Sequence, residues 1–333
     1  MKPPLSARGI SGGEDATPLS ATNHPRRPNF FIVGAEKCAT TTLHTTLAAH
    51  PDVCMSEMKE PRFFDTDQEM RASWCIRDHD DYLRQFSHAT TEKIIGEASP
   101  TYLASRVAAS NIQKYSPGAK ILISLRHPVD YIVSLHRQYL HSNNESIPSL
   151  EAALAAEEAR GRNNNVPKHA HFPAGLLYTH RARFASHVTR FYEIFGTDRV
   201  LVILLDDLQD APLQTLRRVL DFLDIDADID LPLVHENRGA DKRLRNLAVR
   251  RMLKDRPGIR RALGKLDPRF RQRLGNAVQM LVRDRSNAIP EIDPSLLNRM
   301  ANDFRPEIES LEHLLQRDLT DWKYRYATDR ARG

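Results

Sequence analysis

Lys37 is followed by small and hydroxylated residues, Cys38-Ala39-Thr40-Thr41-Thr42, and preceded by four apolar residues, Phe30 to Val33, and Gly34. A buried strand, a tight loop with a lysine, and hydroxyls where a helix begins aim backbone N–H groups at an anionic oxyacid. A second cation and hydroxyl stand at Arg126-His-Pro128 and Ser134. Eight helical residues would span roughly 12 Å, but Arg126 precedes the helix that Pro128 starts, and a bend there lets both reach one phosphate. Between these stretches lies Glu57-Met-Lys-Glu-Pro-Arg-Phe-Phe-Asp65, in which carboxylates and two cations surround adjacent aromatics. As chemistry it is an acid/base loop with Phe63 and Phe64 pinning Glu60. Burial would raise that carboxyl's pKa and Lys59 would oppose the rise. As plain structure it is a surface loop anchored by its phenylalanines.

The elements that must position these residues follow from periodicity. Apolar runs at Phe30–Val33, Val53–Met55, Ile94–Ile95, Ile121–Leu125 and Val200–Leu205 read as buried strands, with helical patterns between them. Helices are expected after Thr40, over 104–115, over 129–141, over 149–160 with an exposed face, over 176–195 as one long amphipathic helix, over 212–223 and over 294–318, where Pro306 would kink or divide it. Strands alternating with helices argue for a parallel sheet covered on both faces, with ligands at the strands' carboxyl ends. Lys37, Glu97, Arg126 and Asp206 all fall at such ends. The Asn- and His-rich stretch 161–173 reads as an acceptor-facing or gating loop. Its histidines lack the carboxylate or cysteine that would complete a zinc site.

The chain has 333 residues, 41% hydrophobic and 27% charged, with a formal charge of +5. That suits one large α/β domain with a helical extension. Residues 1–28 read as a disordered leader, and 29–333 as a single domain whose 241–333 part is helical and basic. The basic clusters lack the aromatic or glycine interleaving of a nucleic-acid surface. No stretch is apolar and long enough for a membrane span. Three cysteines form no disulfide framework, which points to a reducing, cytoplasmic setting. Nothing in the sequence speaks to oligomeric state.

Two enzymatic readings fit an anion loop. A nucleotide kinase or ATPase needs G-x-x-x-x-G-K-[ST] and an acidic strand end. Asp206 and Asp207 supply the second, but Gly34-Ala-Glu-Lys-Cys-Ala-Thr-Thr has its lysine too early and no second glycine. The donor 3′-phosphoadenosine 5′-phosphosulfate (PAPS) needs two anion sites, one at each end, and in principle no metal. Lys37 with its hydroxyls and Arg126 with Ser134 would supply both. A non-catalytic nucleotide-binding protein is the third reading.

Three motifs in order then carry a resemblance. Lys37-Cys-Ala-Thr-Thr-Thr-Leu43 matches Lys-x-Gly-Thr-x-x-Leu, Arg126-His-Pro128 through Ser134 matches Arg-x-Pro-x-x-x-x-x-Ser, and Lys59-Glu-Pro-Arg-Phe-Phe-Asp65 matches Lys-Glu-x-x-Phe-Phe-x. The chain resembles the PAPS-dependent sulfotransferases, nearest the heparan sulfate glucosaminyl sulfotransferase-like branch and its bacterial relatives. The likeness runs from about Phe30 to Leu223, with a weaker echo in the last helix. Ala39 stands where the family has glycine.

The resemblance implies an α/β, P-loop-like three-layer fold with a central parallel sheet flanked by helices, plus a helical C-terminal part. It implies in-line transfer of a sulfuryl group from PAPS to a hydroxyl (or amine) on a carbohydrate or small glycosylated metabolite, leaving 3′-phosphoadenosine 5′-phosphate (PAP). Glu60 would be the general base and Lys37 would neutralise charge on the leaving phosphate. Donor contacts would be Lys37, Cys38, Ala39, Thr40, Thr41, Thr42, Arg126 and Ser134, with Arg238 and Arg243 from a loop closing over the 3′-phosphate. Acceptor contacts would be Lys59, Arg62, Asp65 and His171. No metal is required.

Overall fold

The computed structural model describes residues 27–71, 75–229, 231 and 290–326. Five parallel strands form one sheet in the order β2-β3-β1-β4-β5: β1 Phe30–Gly34, β2 Val53–Met55, β3 Ile94–Ala98, β4 Lys120–Leu125 and β5 Val200–Leu204. All five expected strands form, because each apolar run is buried on both faces of a covered sheet.

Alternation along the strands divides the core in two. Phe31, Val33, Ile95, Ile121 and Ile123 face one side, and Phe30, Ile32, Ile94, Leu122 and Ile203 face the other. The second face is covered by α1 (Thr40–Leu47), through Leu43 and Leu47, and by a later helix through Leu216, Val219, Leu220 and Leu223. Along the chain follow α2 (His79–Arg84), α3 (Ala108–Tyr115), α4 (Pro128–Ser142), α5 (Leu150–Ala155), α6 (Glu157–Gly161), α7 (Tyr178–Arg181), α8 (Phe184–Phe195), α9 (Leu205–Asp210) and α10 (Pro212–Leu223). Two helices close the described chain, α11 (Pro294–Leu315) and α12 (Thr320–Tyr324). Met300, Phe304, Ile308 and Leu311 of α11 join the first core face. Pro306 sits inside α11 and does not divide it.

Three expectations are corrected. The helix over 104–115 begins only at Ala108; a 3₁₀ turn over Pro100–Ala104 precedes it, and the Ser105 hydroxyl accepts from the N–H of Ala108 at 3.0 Å. The helix over 149–160 is two short helices, and its last arginine is not exposed. Arg160 forms a buried bidentate pair with Glu145, at 2.7 and 2.8 Å, to which the Tyr178 hydroxyl also donates at 2.9 Å. The long helix over 176–195 is broken into α7 and α8 near Ala182, which lets Arg181 turn inward while Phe184, Val188, Phe191 and Phe195 pack on the sheet.

Arg27, expected in the leader, lies over the Tyr115 ring at 5.1 Å. Pro28 of that leader is described and buried, while residues 1–26 and the basic stretch 241–289 lie outside the described residues.

Candidate active site

Gly34 ends β1 where a Cβ would lie 2.4 Å from the Leu103 Cβ. The need for glycine there is therefore close packing against Leu103. The loop that follows carries two non-glycine residues in the left-handed region, Lys37 at φ 62° and Ala39 at φ 60°. Ala39 is the N-cap of α1, so the family pattern's glycine falls where a Cβ is disfavoured. Thr40 is buried and Thr41 and Thr42 half-buried in the first turn, where N–H groups have no intrahelical acceptor. The Lys37 Nζ donates to Gln138 Oε1 of α4 at 3.4 Å. Gln138 lies one turn beyond Ser134, so Lys37 reaches the helix that carries the expected 3′-phosphate hydroxyl.

Arg126, the expected contact of a second anion, stands near the same loop. The Ala35 N–H donates to the Ser124 carbonyl at 2.7 Å, binding the Lys37 loop to β4 two residues before Arg126. Burial pushes the Cys38 thiol far above its ordinary range, and the nearby Arg126 guanidinium opposes that rise. Cys38 is fully buried, so it serves the loop as packing and backbone. Asp130, in the first turn of α4, lies 3.9 Å from Arg126 Nε and accepts from Arg325 Nη1 at 2.7 Å and from the Tyr326 hydroxyl. The C-terminal end of the described chain thus reaches the strand end that carries Arg126.

Glu60 belongs to a loop bound to the end of β3. Its N–H donates to the Ala98 carbonyl at 3.0 Å, and the Arg62 N–H donates to the Ser99 hydroxyl at 3.0 Å. Glu60 and Arg62 are both left-handed, at φ 66° and 55°. The Glu60 carboxylate accepts from Lys59 Nζ at 2.9 Å and from Arg62 Nη2 at 3.1 Å, and its side chain is 32% exposed. Burial raises its pKa, but Lys59 and Arg62 outweigh that and hold it below the usual carboxylate range. The net shift is downward, because two cations sit on the carboxylate instead of one. Phe63 stacks on Tyr82 at 4.4 Å and Phe64 meets Phe31 edge-on, which anchors the loop to the sheet as expected.

The expected acceptor contacts divide. Lys59 and Arg62 lie on Glu60. Arg62 is only 7% exposed, with its guanidinium 4.9 Å from the Phe172 ring, so it is better placed to position Glu60 than to meet an acceptor. Asp65 is fully buried, accepts from the Thr101 hydroxyl at 2.7 Å and is pushed up to about 6 by burial; direct acceptor contact is ruled out there. His171 is half-buried, and its carbonyl accepts from the Arg71 N–H at 2.9 Å. Arg238 and Arg243 lie outside the described residues.

Glu97 does not open onto the site either, since it is fully buried under the strand end, beside Tyr82 and Tyr102. Asp206 accepts from Trp322 Nε1 at 2.7 Å, and Asp207 from Arg317. The acids that a kinase would direct at a cation are engaged with the C-terminal helices. Among the described residues, no group of three or more His, Cys, Asp or Glu could hold a metal ion. A cavity of about 440 Å³ beside α10, lined by Leu213, Leu216, Leu220 and Ile229, shares no residue with the site.

Sequence reasoning missed Glu36. Its carboxylate, 12% exposed, accepts from the Tyr139 hydroxyl at 2.8 Å, the Tyr131 hydroxyl at 3.3 Å, and Nε (3.1 Å) and Nη2 of the buried Arg181. The available signal was an acid next to the lysine of an anion loop, a charge that must find a cation elsewhere.

A family model described as Sulfotransferase family matches residues 28–229, spanning all five described strands together with Lys37, Glu60, Arg126 and Ser134. The chain belongs to the sulfotransferase family. In structure this sulfotransferase is similar to a sulfotransferase from Alicyclobacillus acidocaldarius, with a TM-score of 0.67 and 28% identity, over 90% of this chain and 99% of that one. In sequence it is 26% identical over 208 residues to a bifunctional heparan sulfate N-deacetylase/N-sulfotransferase 1 of Caenorhabditis briggsae. It is 25% identical over 248 residues to carbohydrate sulfotransferase 15 of Rattus norvegicus. Each match covers 60% of this chain but only 23% and 44% of those relatives.

Proposed function

We propose that this sulfotransferase moves a sulfuryl group from PAPS to an acceptor hydroxyl or amine, with a carbohydrate or small glycosylated metabolite as the preferred acceptor class. The observation that carries the reading is the placement of Lys37. It stands at the end of β1, bonded to the α4 face that also bears Ser134, with Arg126 beside the same loop. Two adjoining anion sites suit a donor with a phosphosulfate at one end and a 3′-phosphate at the other.

In this reading the first-turn N–H groups of α1 and the Thr40–Thr42 hydroxyls cradle the 5′-phosphosulfate. Lys37 neutralises the charge that grows on the leaving phosphate oxygen. Arg126 and Ser134 hold the 3′-phosphate, so binding energy remote from sulfur is converted to alignment. Glu60, kept ionised by Lys59 and Arg62, accepts the acceptor's proton as its oxygen or nitrogen attacks sulfur. A carboxylate with a lowered pKa is a weak base, so most of the rate would come from alignment and charge stabilisation. Carbohydrate is favoured by the names of the relatives.

The test is transfer from sulfur-labelled PAPS across carbohydrate, lipid and phenolic acceptors, together with calorimetry of PAP without metal and ATP with Mg²⁺. PAP should bind and ATP should not. Glu60→Gln should retain PAP affinity and lose turnover by at least ~10²-fold; near-wild-type turnover would remove Glu60 as the base. Arg126→Ala should weaken PAP by about 10- to 100-fold, the range for a charged hydrogen bond. Unchanged PAP affinity with weakened ATP would return the kinase reading.

A further inference from the structure

The donor loop holds itself in an unfavourable backbone shape. Lys37 and Ala39 are left-handed, a region that residues with a Cβ avoid because the Cβ crowds the following carbonyl oxygen. Such conformations persist only where the surroundings over-determine them. On one side of Lys37 the fully buried Cys38 supplies a fixed point, its N–H bonded to the Ala35 carbonyl and its thiol to the Glu36 carbonyl, both at 3.3 Å.

On the other side stands Glu36, whose side chain gathers groups from two helices. Tyr131 and Tyr139 come from α4, and Arg181 from the end of α7. Arg181 is itself fixed, since Nη1 donates to Gln68 Oε1 at 3.3 Å and Gln68 Nε2 to the Thr101 carbonyl at 2.9 Å. The break between α7 and α8 is what lets Arg181 reach inward. Glu36 is also close enough to Arg62 to raise that guanidinium's pKa, second only to Glu60 among the charges acting on it. Arg62 and Arg181 both lie near the Phe172 ring, at 4.9 and 5.0 Å. One carboxylate therefore connects the lysine loop to the loop of the general base.

We propose that Glu36 is a positioning residue: by binding Arg181, Tyr131 and Tyr139 it holds Lys37 in the conformation that receives the donor's 5′-phosphate end. This rests on the PAPS reading above. The charge of Glu36 makes its role unusual, because a carboxylate beside an anion site repels the ligand. Electrostatics alone predicts that its removal tightens anion binding, whereas positioning predicts that removal weakens it.

The two predictions separate by calorimetry with PAP and with adenosine 3′-monophosphate, which lacks the 5′-phosphate. Glu36→Ala should weaken PAP at least fivefold and leave adenosine 3′-monophosphate within twofold of wild type. Tyr139→Phe, which keeps the charge and loses one hydrogen bond, should move PAP alone in the same direction by a smaller factor. General damage to the fold would weaken both nucleotides, and that result in Tyr139→Phe would overturn the proposal. So would unchanged or tighter PAP binding in either variant. Arg126→Ala is the control for the underlying reading and should weaken both nucleotides; if it weakens neither, the PAPS reading fails and not the role of Glu36 alone.

Discussion

Glu97 holds its proton where an ordinary glutamate has lost it. Fully buried, with neither carboxyl oxygen in a hydrogen bond of normal geometry, it is raised by burial to about 8, and the Tyr102 and Tyr82 hydroxyls offset that only in part. The unfolded chain releases this proton near pH 4.5, so between 4.5 and 8 the folded state binds more protons than the unfolded. Stability from this group is complete below pH ~4.5 and is lost as pH rises through ~8, by an amount on the order of a few kcal/mol. Asp65, raised to about 6, adds to the loss with the same sign over a lower window. Glu97→Gln should match wild-type stability near pH 4 and exceed it near pH 8.5 in denaturant titrations. A Glu97→Gln protein no more stable than wild type near pH 8.5 would contradict the assignment. The sequence placed Glu97 at a strand's carboxyl end, which is correct, but not on which side of the strand end it turns. Only the packing of Phe64, Tyr82 and Tyr102 decides that.

The donor loop and α1 form one unit whose quality depends on Ala39. Replacing it with glycine removes a Cβ from a left-handed position and should stabilise the fold by about 1 kcal/mol. That is roughly 2–4 °C in Tm for a domain of this size, read by thermal unfolding, with PAP affinity kept. A lower Tm would mean that the alanine methyl packs better than the backbone is strained. At this scale the sequence was informative wherever a motif sits on a strand–helix junction. Lys37, Arg126 and Ser134 could be placed because short loops join buried strands to helices and leave little freedom. It was less informative where a long-range pair sets local structure. Nothing in the periodicity of 176–195 announces the break near Ala182, where Arg181 turns inward to a partner, Glu36, that lies 145 positions away. Arg160 was misplaced for the same reason: its partner Glu145 lies outside the helix whose pattern was read.

On the scale of the molecule, the five strands, their parallel arrangement, the layers and the family were legible, since each follows from alternating apolar runs and three motifs in sequence order, whereas the order of the strands in the sheet was not. Neither was the role of the closing helices. Their apolar spacing announced burial but could not say that Trp322, Arg325 and Tyr326 would meet Asp206 and Asp130. Asp130 stands between Arg126 on one side and Arg325 with Tyr326 on the other. On the PAPS reading, a bound 3′-phosphate draws Arg126 away from Asp130 and leaves that carboxylate to the C-terminal pair. Ligand occupancy and C-terminal docking are then thermodynamically reciprocal, each favouring the other by the same factor. PAP should slow trypsin cleavage after Lys323 and Arg325, and Arg325→Ala should weaken PAP several-fold without touching it. Equal cleavage rates with and without PAP would show the two ends of Asp130 to be independent. The acid at the start of α4 would otherwise act as a latch between nucleotide and tail, so that the enzyme's resistance to proteolysis reports whether its donor site is filled.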